Sequence, residues 1–224
     1  MNYSATLLID RIFYQIADNV ILKEVSAAVH PGKITAIIGE CGSGKSILLK
    51  IVAGQVAATG GVTRLDGKTF QKKSLFRRFK TIGYLPQRPM LPDEFSVERV
   101  LRTMPKTASG NFLDDKVIST IRKERVGALS AGERRYLELS VICSLPRKYL
   151  LLDEPMTAVE PVFAELIQKK IREAASAGKG VLVTDFTHRY VSELADHFYL
   201  LDKGECHYLD GDLTIELVNR GFLK

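Results

Sequence analysis

The sequence predicts an α/β chain: a mainly parallel sheet, an antiparallel β segment ahead of it, and a short helical stretch set into it. Three observations carry this. Gly39-Glu40-Cys41-Gly42-Ser43-Gly44-Lys45-Ser46 reads G-x-x-x-x-G-K-S, between the β-rich run Lys33 to Ile38 and the apolar, helix-length run Ile47 to Ala53. Strand, glycine-rich loop and helix therefore come in the order of a phosphate-binding P-loop. Tyr149 to Leu152 and Gly180 to Thr184 are short apolar and β-branched runs suited to strands buried on both faces. A helix pattern starting at Pro161 separates them, and strand, helix, strand in that order means parallel neighbours joined by right-handed crossovers.

In chain order, Ala5 to Ile9, Ile12 to Tyr14 and Val20 to Val29 are β-like runs separated by polar turns such as Asp18-Asn19, and Pro31-Gly32 turns into the P-loop strand. Beyond the P-loop helix, Gly60-Gly61 with Val62 to Lys68 signals a hairpin, and Thr81 to Leu85 is a strand stopped by Pro86. From Ser96 to Leu145 the pattern is helical. Val97, Val100, Leu101 and Met104 share one face and Val117, Ile118 and Ile121 another, with Pro105 and Gly110 between the two helices. In the helix from Pro161, Phe163, Leu166, Ile167, Ile171 and Ala174 keep helical spacing, and Gly178 supplies the stop. A helix is expected around Tyr190 to Ala195, then a hairpin of His197 to Leu201 and Cys206 to Leu209 around Asp202 to Glu205.

A chain of 224 residues suffices for one large domain with a full core. The reading is a single domain over residues 1–224 with its helical part, at approximately 90–145, inserted in the P-loop core. No apolar run approaches the roughly 18 residues that span a bilayer, and the start lacks a signal peptide's charged and apolar regions, so a cytoplasmic chain is expected. Three cysteines without a C-x-x-C pair argue against a disulfide framework and a zinc site. Net charge is +6, and Arg64 to Lys106 holds 11 Lys/Arg against 4 Asp/Glu. That excess would suit nucleic acid, anionic lipid headgroups or an acidic partner, or form a solvated basic surface.

The chemistry follows from the loop. Glycines let its backbone curl so that N–H groups from Gly39 to Ile47, through Glu40, Cys41, Gly42, Ser43 and Gly44, point at one anion, and the next helix aims its positive end there. Lys45 would reach the β- and γ-phosphates of a nucleoside triphosphate, and the Ser46 hydroxyl would hold Mg²⁺. A second Mg²⁺ group is needed at the end of a buried strand, and Asp153 fits that place. Glu154 beside it would orient and partly deprotonate the attacking water. Cys41 places a thiol inside the loop near a helix N-terminus and Lys45, which makes thiol-sensitive activity one reading and a tolerated variable position the other.

Leu129-Ser130-Ala131-Gly132-Glu133, lying between this P-loop and Asp153-Glu154-Pro155, resembles the Leu-Ser-Gly-Gly-Gln signature of ABC ATPases. The resemblance covers almost the whole chain, from about Leu7 to about Leu209. It implies an ABC-type ATPase core with an N-terminal antiparallel β subdomain and a short α-helical subdomain. It makes Gln87 the glutamine that contacts Mg²⁺ or the lytic water, His188 the histidine that contacts the γ-phosphate, and Tyr14 the aromatic that stacks on adenine, with Phe13 competing for that role. Ser130, Ala131, Gly132 and Glu133 would cradle ATP held by the P-loop of a second subunit. ATP would thus be buried between two chains, in a homodimer or a pseudo-dimer with a second ATPase subunit. Met90, Leu91, Phe95 and Arg88 would dock a separately encoded transmembrane permease, placing the chain peripherally on the inner face of the cell membrane, or the three apolar residues fill the helical subdomain's own core. The basic stretch is then read as facing membrane-side partners in preference to nucleic acid.

Three departures qualify the resemblance. Ala131 replaces the first signature glycine, and a left-handed backbone there would be costly. Glu133 stands for glutamine, either near nucleotide or in solvent at the helix start, where an acid is favoured. Met156-Thr157-Ala158-Val159-Glu160 occupies the D-loop, where the family usually has Leu-Asp, and Glu160 before Pro161 would cap that helix as aspartate would, its extra methylene disturbing the contact to the partner site. The leading expectation is an active ATPase powering a transporter. The alternatives are a soluble ABC-type ATPase acting on nucleic acid or the ribosome, and a low-turnover nucleotide switch.

Overall fold

A computed structural model describes residues 6–70, 75–105, 112, 114–185 and 190–222, with only the backbone of 75–77. The elements are β1 (Leu7–Ile16), β2 (Asn19–Val29), β3 (Ile34–Ile38), α1 (Lys45–Ala53), β4 (Gly60–Leu65), β5 (Lys68–Thr69), α2 (Leu75–Thr81), β6 (Ile82–Leu85), α3 (Val97–Arg102) and α4 (Lys116–Ile121). They continue with α5 (Ala131–Ser144), β7 (Tyr149–Asp153), α6 (Pro161–Ser176), β8 (Gly180–Asp185), β9 (His197–Asp202), β10 (Glu205–Leu209) and α7 (Leu213–Asn219). A four-stranded sheet runs β2-β1-β4-β5, and a six-stranded sheet runs β10-β9-β3-β8-β7-β6. The first is antiparallel throughout, and in the second only the β9–β10 edge pair is antiparallel.

Side chains alternate across a strand, so each central strand of the larger sheet feeds two cores. Ile34, Ala36, Ile38, Leu150, Leu152, Val181 and Val183 enter one core with α5 and α6, while Ile37, Tyr149, Leu151 and Leu182 enter the other with α1 and the antiparallel sheet. That explains the unbroken apolar runs: β3, β7 and β8 are buried at every position. The carboxyl ends of these strands meet at one sheet edge, the place where open α/β sheets bind ligands.

Four expectations need correction. The two short runs at the N-terminus are one strand, β1, bulged at Arg11, whose φ is 48°. Gly61 opposite is obligatory, because its Cβ would lie 2.0 Å from the Arg11 carbonyl oxygen. The turn into β2 falls at Ala17-Asp18, ahead of the expected position. Tyr190 to Ala195 is a turn, closed by Leu194 and Ala195 N–H groups on the Val191 oxygen and anchored by buried Val191 and Leu194. The segment stops at Asp196, whose carboxylate takes the Ile34 N–H and the Lys33 ammonium. Helices α2 and α7 were not anticipated.

Asp115 ties three helices together. Its Oδ1 caps α4 by accepting the Val117 and Ile118 N–H groups at 3.1 and 3.2 Å, and its Oδ2 accepts the Tyr136 hydroxyl at 2.7 Å and the Lys170 ammonium at 2.9 Å. Burial pushes its pKa up, but the Lys170, Tyr136 and Ile118 hydrogen bonds outweigh burial and hold it below 3.8. Asp115→Ala should cost about 2–4 kcal/mol from the lost cap and the stranded donors, a fall in Tm of roughly 5–10 °C by calorimetry. The wild-type contribution is present above pH 3.8 and is lost as pH falls through the lower folded value, so the Tm gap should close in acid.

Candidate active site

The loop between β3 and α1 is shaped by its glycines. Gly39 is buried under β9, and a Cβ there would lie 2.3 Å from the Leu201 carbonyl oxygen. Gly42 and Gly44 sit at φ +84° and +105°, which turns successive N–H groups to one side. α1 then starts with no side-chain cap and no acidic residue in its first turn. Its first N–H groups and its positive dipole end are left for an external anion.

Lys45 lies almost fully buried beneath this loop. Its ammonium donates to the carbonyl oxygens of Gly39 at 2.7 Å and Glu40 at 2.9 Å, and stands 3.8 Å from a Glu154 oxygen. Burial lowers its pKa, and the nearby Glu154, Cys41, Asp185 and Asp153 charges only partly restore it. Ser46, next along α1, donates its hydroxyl to Asp153 Oδ1 at 3.0 Å, although the two residues are 107 apart in sequence. Asp153 also accepts the Thr184 hydroxyl on Oδ1 at 2.9 Å and the Tyr84 hydroxyl on Oδ2 at 3.2 Å. Burial first, then the Asp153 charge, pushes the Tyr84 hydroxyl well above its ordinary value, so it remains a donor.

Glu154 follows β7 in a left-handed conformation, φ 47°, which turns its carboxylate back into the site. Gln87, on the loop after β6, donates its amide N–H to Glu154 Oε2 at 2.7 Å. Lys45, Ser46, Gln87, Asp153 and Glu154 thus form one constellation. Its oxygen donors, the Ser46 hydroxyl, the Asp153 carboxylate and the Gln87 amide oxygen, match a hard divalent cation such as Mg²⁺. Sequence reasoning missed Tyr84, Thr184 and Arg135. The Arg135 guanidinium is buried on α5 and donates to the carbonyl oxygens of Pro86 and Asp153, both at 2.7 Å. Thr184 is the register partner of Asp153 on the adjacent parallel strand, a pairing that no local signal in the sequence marks.

The expected signature residues stand apart. Ser130 caps α5 in a capping box: its hydroxyl accepts the Glu133 N–H at 3.2 Å, and Glu133 Oε2 accepts the Ser130 N–H at 2.9 Å. Glu133 is therefore occupied at the helix start, and Ala131 begins α5 with no left-handed strain among the described residues. Ser130 and Ala131 are exposed, and among the described residues no hydrogen bond or ion pair joins Ser130–Glu133 to Gly39–Ser46. Glu160 occupies the N-cap position of α6 without a side-chain cap bond, correcting the expected cap, because its oxygen leans toward Gly132. A Cβ at Gly132 would lie 2.4 Å from Phe163 Cδ2 and 2.5 Å from Glu160 Oε2. Gly132→Ala should therefore lower stability by about 1–3 kcal/mol in denaturant unfolding, whereas Ala131→Gly should lose only the roughly 1 kcal/mol of helix propensity.

Tyr14 is half-buried on β1, register partner of Leu22, whose methyl lies 2.8 Å from a Cβ built at Gly44. Cys41 is exposed, whereas burial pushes the Cys143 and Cys206 thiols up to about 12. Met90, Leu91 and Phe95 are half-buried against the helical core, and Arg88 is exposed. His188 lies outside the described residues. Among the described residues, no helix is long and apolar enough to cross a membrane.

Residues 22–157 match the model of the ABC transporter family. A hemin import ATP-binding protein, HmuV, of Pseudomonas entomophila is 31% identical over 85% of this chain and 80% of its own. A lipopolysaccharide export system ATP-binding protein, LptB, of Acidithiobacillus ferridurans is 27% identical over 90% and 88%. Among solved structures, an ATP-binding subunit of an ABC transporter superposes with a TM-score of 0.82 at 19% identity, covering 97% of this chain and 94% of that one. A nucleotide-free ATP-binding cassette gives 0.77 at 22% identity, over 95% and 93%.

Proposed function

Because the chain belongs to the ABC transporter family and is one of its ATP-binding ATPases, we propose that it is the subunit that powers a membrane transporter by closing, as a dimer, around two ATP molecules. The observation that carries the reading is the contact of Ser46 with Asp153, flanked by Lys45 and by Glu154 with Gln87. It supports the reading because these side chains, with Lys45, Asp153 and Glu154 buried, stand together at the loop.

In this reading the chain is one domain over residues 1–224, with approximately 90–145 as its helical insertion. The backbone from Gly39 to Ile47 cradles the phosphates, Lys45 neutralises the β- and γ-phosphates, and Tyr14 packs on adenine. Ser46, Asp153 and Gln87 hold Mg²⁺, which when bound supplies charge neutralisation at the transferring phosphoryl group. Glu154 accepts the proton of the attacking water, and His188 contacts the γ-phosphate. The exposed N-terminus of α5, with Ser130, Ala131, Gly132 and Glu133, completes the site of the second chain. A separately encoded transmembrane permease receives the motion, which places the subunit at the cytoplasmic face of the membrane.

Light scattering on Glu154→Gln tests the pairing. The variant should run as a dimer with ATP and Mg²⁺ and as a monomer with ADP; a monomer under both conditions overturns the closed-dimer reading.

A further inference from the structure

Gln87 sits on an irregular segment: no helix or strand lies between Leu85, where β6 ends, and Val97, where α3 begins. Its 2.7 Å bond to Glu154 therefore depends on something outside the segment. Arg135 and Glu138, nearly one turn apart on the buried face of α5, are placed to supply it. The Arg135 guanidinium reaches two stretches at once. It donates to Pro86 O at 2.7 Å on the Gln87 side, and to Asp153 O, Glu154 O and Pro155 O at 2.7, 3.3 and 3.3 Å on the other. Glu138 stands 3.5 Å from that guanidinium, and its Oε1 accepts the Met90 and Leu91 N–H groups at 2.8 and 3.2 Å.

Gln87 thus lies between two clamp points, Pro86 and Met90, and both are held by the ion pair that also holds the carbonyls around Glu154. A buried ion pair adds little stability over an apolar pair of similar volume, and this one places its hydrogen bonds on the backbone that flanks Gln87 and Glu154. Its planar fork fixes direction as well as distance, which a single ammonium does not.

We infer that Arg135 and Glu138 are positioning residues that set the reach of Gln87 to the Glu154 carboxylate. The inference rests on the reading of Glu154 as the group that orients water.

The test compares Arg135→Lys, Glu138→Gln and Glu154→Gln in steady-state ATP hydrolysis and in binding of a non-hydrolysable ATP analogue. Arg135→Lys should lower kcat about tenfold or more while KM and analogue affinity stay within about twofold, because the phosphate groups at Lys45 and Ser46 are untouched. Glu138→Gln keeps an acceptor for Met90 and Leu91 but strands the Arg135 charge, so it should show the same split with a smaller loss, and the double variant should be no worse than Arg135→Lys. Glu138→Gln alone decides the matter if Arg135→Lys does not fold. Wild-type kcat in these variants, or a loss equal to the fraction of chains unable to bind the analogue, overturns the inference. Glu154→Gln separates the two readings: if it turns over like wild type, the reading of Glu154 has failed. If it is inactive while both α5 variants are normal, only the positioning role has failed.

Discussion

Glu154→Gln is expected to lower ATP turnover by about 10²- to 10⁴-fold while ATP still binds. The substitution removes a proton acceptor and little else. A glutamine oxygen can still accept the Gln87 amide that reaches Glu154 at 2.7 Å, and the Glu154 backbone remains tied to Thr184 through its N–H. Lys45 loses a carboxylate 3.8 Å away but keeps both loop carbonyls. Phosphate contacts are untouched, so the loss belongs in kcat, with analogue affinity unchanged or higher. Single-turnover hydrolysis measures it. A variant within about fivefold of wild type would mean that the water is activated elsewhere.

Lys45→Ala is the second large effect, and it acts on binding. The ammonium is the cation placed under the loop, and charge-assisted hydrogen bonds are worth about 1.5–3 kcal/mol each, so ATP affinity should fall by roughly 10- to 200-fold. Stability should move far less. In the folded chain burial lowers the Lys45 pKa below 10.5, so the cation costs folding energy at neutral pH. That cost lifts as pH rises through the folded value toward 10.5, where the unfolded chain binds the extra proton. Lys45→Ala should therefore lose ATP without a large fall in Tm, and lose this alkaline rise in stability. Calorimetric titration and thermal melts at several pH values check both parts. A collapse of the fold at neutral pH would contradict the picture of a strained, ligand-ready lysine.

The parts legible in the sequence are those whose signals are local. The P-loop declares itself through residue spacing, and the buried strands through unbroken apolar runs. Asp153 is legible because a carboxylate directly after Leu150-Leu151-Leu152 has few structural reasons to be there. What was not legible depends on register and packing between distant segments. Tyr84 reaches Asp153 because β6 pairs with β7, and Thr184 reaches it because β8 lies on the other side. Arg135 reads as one more charge on a helix until α5 is packed under the β7 end. Helix α7 does carry a local signal: Asp212 caps it by accepting the Thr214 and Ile215 N–H groups, and buried Leu213 and Leu217 keep i, i+4 spacing. Tyr190 to Ala195 shows the opposite error, because two buried apolar anchors three residues apart fit a single turn as well as a helix.

Among the described residues no hydrogen bond or ion pair joins the N-terminus of α5 to this chain's own P-loop, and in the proposed dimer it serves the partner's. Mixing two inactive chains measures this directly: Lys45→Ala, which lacks its own phosphate site, and Ser130→Phe, which blocks the surface offered across the dimer. A mixed pair holds one intact composite site, built from the P-loop of the Ser130→Phe chain and the α5 N-terminus of the Lys45→Ala chain. The mixture should regain up to about a quarter of wild-type turnover, since half the pairs are mixed and each has one of its two sites complete. Turnover no greater than the sum of the two variants alone, or a Ser130→Phe chain as active as wild type, would contradict a site shared between two chains.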